Sequence, residues 1–293
     1  MNQQLARGTA MLAAALMGLG VIFWVAANWD TLSQLGRFGL LEAVMVVAAL
    51  GAVLRPAWRV PLALLMFLVT GGLLASIGQT YQTGADPWQL FAVWAALGLP
   101  LAWVVRHDVL WAPWAVVTTT ALSLWVHAHT GHAWRFRDLD FQVHFISWAL
   151  SLLVVAGLSA PARPWTGAGV WSWRLAVTLG VLGITSAAIG GLFGSTWSPL
   201  FLMGLLVIGG GGLILSQART FDLYGLSALA LALNVLLVAA LGRLLLQGRS
   251  GDALGAWLLL GLMAAGLLAM TVQWIMKLAR QHAPADSAAG GVA

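Results

Sequence analysis

VPLALLMFLVTGGLLASIG, residues 60–78, runs without a charge and then breaks into QTYQTGADPWQ, residues 79–89. A helix of that length covers about 28 Å at 1.5 Å per residue, close to a bilayer hydrocarbon core of about 30 Å. Read as a membrane span, the run also accounts for its own ending, because amides, a tyrosine and a carboxylate belong at or beyond the headgroups.

The same pattern recurs along the chain. Apolar runs broken by charges, prolines or polar clusters predict ten spans, at about 8–27, 37–54, 60–78, 87–105, 109–127, 141–159, 171–192, 199–217, 224–246 and 253–276. The composition agrees: 61% hydrophobic and 8% charged, against about 45–50% and about 25% in soluble domains. The expected fold is all-α, a polytopic transmembrane helical bundle. We divide it into an N-terminal membrane domain (1–159), C-terminal membrane helices (160–280) and a disordered tail (281–293). The opening MNQQLARGTAMLAAALMGLGVIFWVAAN imitates a cleavable signal peptide, but the apolar stretch from Gly8 to Ala27 exceeds the usual core of about 7–15 residues. It reads as a retained first span.

Cationic residues orient the bundle, since cytoplasmic loops carry the excess. Alternate sides collect Arg7, Arg55, Arg59, Arg106, Arg163, Arg174, Arg219, Lys277 and Arg280 against Arg37, Arg135, Arg137, Arg243 and Arg249. Both termini are therefore expected in the cytoplasm. The arginines stand singly or in pairs, so a net charge of +5 points to topology and away from nucleic acid. With no cysteine, disulfides, thiolate metal sites and thiol nucleophiles are excluded. The seventeen tryptophans suit an interfacial belt, and Gly71-Gly72, Gly190-Gly191, Gly194 and Gly209 to Gly212 suit close helix packing. GGLLASIGQT (71–80) echoes GGLILSQART (211–220), a weak sign of an internal repeat.

In this topology the unusual polar groups gather outside. Asn28 fits the left-handed residue that ends a helix, Trp29 the interface, and Asp30 the cap of a short helix before span two. Asp86, Pro87 and Gln89 form a capping arrangement for span four, followed through Trp88. Capping leaves Gln79, Tyr81 and Gln82 unexplained; they either tie helices together, line a wet cavity or sit in an exposed loop. Glu42, the only glutamate, lies within span two, where a carboxylate costs a few kcal/mol unless paired, protonated or hydrated. Arg37 is the sole basic residue in the first two outer loops, where Asp30, Glu42 and Asp86 are the acids available, and an Arg37 ion-pair or hydrogen-bond network with at least one of them is expected.

The loop HAHTGHAWRFRDLDFQVH (127–144) holds His127, His129 and His132 with Asp138, Asp140 and His144. Its spacing matches no helical ligand pair or known metalloenzyme motif, so these histidines are weak metal candidates and the loop reads as solvated and interfacial. Asn234, Arg243, Gln273 and Thr118 to Thr120 inside later spans read as interhelical hydrogen bonds or shallow residues. No Walker loop, nucleophile elbow, HExxH or dinucleotide fingerprint is present. The sequence calls for no cofactor.

VAANWDTLSQLGRFGLLEA (25–43) with GGLLASIGQTYQTGADPWQLFAVWAALGLPLAW (71–103) resembles the family of bacterial multi-pass membrane proteins known as domain of unknown function 2157. The resemblance covers about residues 5–155, and its paired motifs are the post-span NWD and IGQTYQ followed by DPW. It implies an integral protein of the bacterial cytoplasmic membrane, with no established activity, and puts Asn28, Trp29, Asp30, Arg37, Gln79, Tyr81, Gln82 and Asp86 at motif positions.

Three readings of function follow. The first is a transporter-like binder of a small molecule or lipid, using an outward-facing polar pocket between spans one to four built from Asp30, Arg37, Glu42, Gln79, Tyr81, Gln82 and Asp86. The second is a membrane scaffold or accessory subunit docking an envelope protein partner. The third is an intramembrane acid/base enzyme using Glu42 or Asp86. A pocket requires these groups to line one cavity; a scaffold requires them tied and closed beneath an exposed outer patch.

Overall fold

In hydrocarbon every backbone N–H and C=O must be satisfied within the chain, and apolar runs of this length do so as helices. The computed structural model describes residues 3–81, 84–131, 140–193, 198–246 and 253–282. Among these residues the chain is helical throughout, with helices α1 (Gln3–Ala27), α2 (Gln34–Leu54), α3 (Arg59–Tyr81), α4 (Pro87–Val105), α5 (Asp108–His129), α6 (Asp140–Leu158), the one-turn α7 (Arg163–Thr166), α8 (Val170–Leu192), α9 (Pro199–Leu215), α10 (Leu223–Leu246) and α11 (Ala253–Gln281). Short 3-10 turns at Pro56–Trp58 and Ala160–Ala162 precede α3 and α7.

Nine of the described helices are long and apolar enough to cross a membrane. The tenth expected span is α9, which has 17 residues and sits at the lower limit of about 17–25 for spanning. Its count matters: ten spans return the chain to its starting side, nine do not.

The helices form two compact units, one of Met1–His129 with Ala149–Ala176, the other of Thr130–Trp148 with Val177–Ala293. Residues 149–176 belong to the first of these units, with the first five helices. At the centre of the first unit α3 meets α1, α2, α4 and α5. Two adjacent glycines allow this. A Cβ on Gly71 would lie 2.4 Å from the Trp94 ring of α4, and one on Gly72 would lie 2.6 Å from Ile22 of α1. Trp94 then reaches across and donates Nε1–H to the Phe67 carbonyl at 2.8 Å.

In the second unit α10 packs between α9 and α11. Asn234 of α10 is buried and donates to Thr271 Oγ1 of α11 at 2.9 Å, the interhelical bond expected of it. A core of Trp148, Ile184, Ala188, Leu192, Phe201, Ile208 and Leu236 fills the unit. The glycine run of α9 is only partly a packing surface: a Cβ on Gly211 would touch Leu229 at 3.2 Å, whereas Gly209, Gly210 and Gly212 face open space. Asp140 and His144, read from sequence as part of a solvated loop, are buried in this unit on the first turns of α6.

Candidate functional site

At one end of the first unit, the α1–α2 and α3–α4 connections come together, and two local ties close it. Arg37 makes the first. Its Nε donates to the Leu32 carbonyl at 3.1 Å, its Nη2 donates to the Trp29 carbonyl, and its guanidinium lies 3.9 Å from the centroid of the Trp29 ring. The expected ion pair with Asp30, Glu42 or Asp86 is not among its contacts. The reason is local: a planar fork five to eight residues after two loop carbonyls finds neutral acceptors nearer than any carboxylate. The second tie is Gln34 Nε2–H to the Tyr81 hydroxyl at 2.9 Å, with Tyr81 stacked at 6.4 Å on Phe38. It joins the start of α2 to the end of α3.

The caps also differ from those expected. Asn28 is not left-handed; among the described residues only Arg106 is a non-glycine with positive φ. Instead Asn28 Nδ2 donates back to the Trp24 carbonyl at 2.9 Å, closing α1 with its side chain. Asp30 is exposed, and Ser33 caps α2 by accepting Gly36 N–H at 3.2 Å. Asp86 holds the N-cap position of α4 with Pro87 inside the first turn, yet its carboxylate makes no cap hydrogen bond.

Asp30, Glu42, Gln79, Asp86 and Pro87 are exposed, and Tyr81 is 61% exposed despite its hydrogen bond. Gln82 lies outside the described residues. Glu42 faces away from the core of its unit on the side of α2 that carries Val46, Val47, Leu50 and Val53, all exposed. A groove does open between α1 and α2, but Met17, Gly20, Val21, Trp24 and Leu40 line it. Near the end of α3 and the start of α4, Thr80 Oγ1 and Trp88 Nε1 are enclosed without hydrogen-bond partners among the described residues.

Of the weak metal candidates, His132 lies outside the described residues. His129 is engaged by tryptophans: its ring is edge-on to Trp88 at 6.1 Å and 5.0 Å from Trp125, whose carbonyl is 2.8 Å from Nδ1. Among the described residues no group of three or more metal-ligating side chains comes together around His127 or elsewhere.

The opposite end of the unit carries a network that the sequence reading missed. Asp108 Oδ1 accepts N–H from Gly169 and from Ser172, each at 2.9 Å, and Oδ2 accepts N–H from Trp171 at 3.0 Å. One carboxylate at the start of α5 thus satisfies the first amides of α8, where the helix dipole also favours a negative charge. Beside it Arg106, left-handed at φ 53°, donates from Nη2 to the Pro164 carbonyl. Gly167, at φ +66°, comes so close that a Cβ there would lie 2.4 Å from the Arg106 carbonyl oxygen. Trp111, 2% exposed, donates Nε1–H to the Thr166 carbonyl at 2.8 Å. A signal did exist in the sequence: α8 is entered through Gly169, which has no side chain to cap it, so its amides need an acceptor from elsewhere.

No curated protein and no solved structure matches this chain. The family resemblance is narrower than the motifs implied, ending at Trp111 and so including Asp108 without the α8 amides it holds. Residues 1–111 match the family described as a predicted membrane protein, DUF2157.

Proposed function

We propose that the protein is a docking module of the bacterial cytoplasmic membrane, with both termini cytoplasmic and the Asn28–Asp86 end presented to an envelope protein. The observation that carries this reading is the pairing of closure and exposure at that end. Arg37 and Tyr81 are used up in holding the helix ends together, while Asp30, Gln79 and Asp86 stand exposed beside them. Polar groups serving an enclosed transport pocket belong between helices, where burial strengthens their hold on a ligand. Three exposed carboxylates, counting Glu42 on its apolar helix face, favour a partner that brings cations or hydrogen-bond donors, at the membrane surface and at membrane depth.

The cysteine-free chain allows a direct test. Single cysteines at positions 30, 79 and 86 are labelled with a membrane-impermeant maleimide in native membranes and again after purification. Docking predicts labelling from the outside that is slowed several-fold in native membranes and restored on purification, with Asp86 and Gln79 most affected. Equal labelling in both preparations contradicts docking, and labelling from the cytoplasm contradicts the orientation.

A further inference from the structure

Helix α2 buries one side in the core of the first unit, where Leu41 and Ala48 are each 1% exposed. Its other side is uncovered and regular. Gly39, Glu42, Ala43, Val46, Leu50 and Val53 follow one another at helical spacing along one face, and all are exposed. The helix is long and apolar enough to cross a membrane from Gln34 to Leu54, which sets this face against hydrocarbon. Glu42 is its one acid, five residues and about 7.5 Å along the axis from Arg37. Arg37 turns back to the loop carbonyls of Leu32 and Trp29 and so away from Glu42. Among the described residues none hydrogen-bonds or ion-pairs with Glu42. Its two methylenes are too short to return the carboxylate to the loop, and a carboxylate facing acyl chains costs a few kcal/mol. Small neighbours leave the face open to close approach: a Cβ on Gly39 would meet nothing within 4 Å, and Ala43 adjoins it one turn on.

We propose that this face seats a transmembrane helix of another protein, one that brings a lysine or arginine to the depth of Glu42. That helix is the membrane anchor of the protein docked at the Asn28–Asp86 end, an inference resting on the docking reading above. Charge complementarity selects the occupant. A cation neutralises the carboxylate where it stands. A parallel second copy of this chain would set Glu42 against another carboxylate, and lipid tails give it no partner.

Benzoylphenylalanine is placed in the full-length protein at Val46, one turn from Glu42, or at Leu206, a 75% exposed position on α9, and irradiated in native membranes. Cross-linked peptides are sequenced by mass spectrometry. Position 46 should yield an apolar peptide of one foreign protein with a lysine or arginine within about two turns of the cross-link, and position 206 should not. Glu42→Gln should lower that yield about fivefold, and Glu42→Asp should keep most of it. Gly39→Leu should lower it as far, by closing the approach at a position where the protein's own fold has room. A cross-linked peptide without a basic residue, the chain's own α2, lipid adducts alone, or a yield unchanged in Glu42→Gln each overturns the assignment. Maleimide labelling of the outer end reads docking separately. Slowed labelling at position 86 together with any of those results keeps the docking and removes the anchored partner, whereas equal labelling in both preparations removes the docking on which it rests.

Discussion

Asp86 immediately precedes α4 and leaves its carboxylate out of the cap, whereas Asp108, separated by 61 residues from Gly169, caps α8 with three hydrogen bonds. The two aspartates stand at opposite ends of the same unit, with α4 between them. Pro87 explains part of the contrast, because proline removes one of the orphan N–H donors and fixes the first helical turn without help. α8 has neither a proline nor a capping side chain at its entry, and so draws on a distant carboxylate. Proximity in sequence therefore misleads about which acid is structural. The acid placed like a cap makes no cap bond, and one 61 residues from the first amide it holds closes the start of α8.

The largest expected effect follows from removing the distant cap. Asp108→Ala strands three amides, two of them partly enclosed, and should lower unfolding stability in detergent by about 3 kcal/mol. Gly169→Ala should cost about 2 kcal/mol, because its Cβ would lie 2.4 Å from the Asp108 carboxyl. The double variant should lose less than the sum, since without the carboxylate the methyl meets only the Cβ of residue 108, at 2.8 Å. Additive losses would show that the two residues act separately.

At the other end the effects should be smaller. Arg37→Gln removes a cation–π contact and two carbonyl bonds, and should cost about 1 kcal/mol by thermal unfolding. Asp86→Asn and Glu42→Gln should each change stability by less than about 0.5 kcal/mol, because both groups are exposed and neither holds Arg37. A loss from either carboxylate variant as large as that from Arg37→Gln would restore the ion-pair network that the contacts of Arg37 argue against. Tyr81→Phe should fall between Arg37→Gln and the two carboxylate variants, at about 0.5 kcal/mol, for one neutral hydrogen bond at an exposed site.

The helices were legible because a membrane enforces one signal, a long uncharged run, and the predicted span at 87–105 coincides with α4. α9 shows where that signal thins, in a run that stops being helical at Leu215. The polar motif was legible as a place but not as an arrangement. Arg37, Tyr81 and Asp86 were singled out by their rarity in an apolar chain, but rarity does not say that Arg37 turns back to Leu32 and Trp29, or that Tyr81 finds Gln34. Such partners are set by how helix ends meet. Asp108 was harder still: its two carboxylate oxygens accept from three backbone amides, which no side-chain motif records.

Hydrogen–deuterium exchange of the intact protein tests the central contrast most directly. First-turn amides of a helix usually exchange fast because they lack intrahelical partners. The amides of Gly169, Trp171 and Ser172 should instead exchange slowly in wild type and fast in Asp108→Asn, while the Trp88 amide at the start of α4 exchanges at one rate in wild type and in Asp86→Asn. Fast exchange at Gly169, Trp171 and Ser172 in wild type, or slow exchange at Trp88 that is lost in Asp86→Asn, would reverse the roles given to the two aspartates.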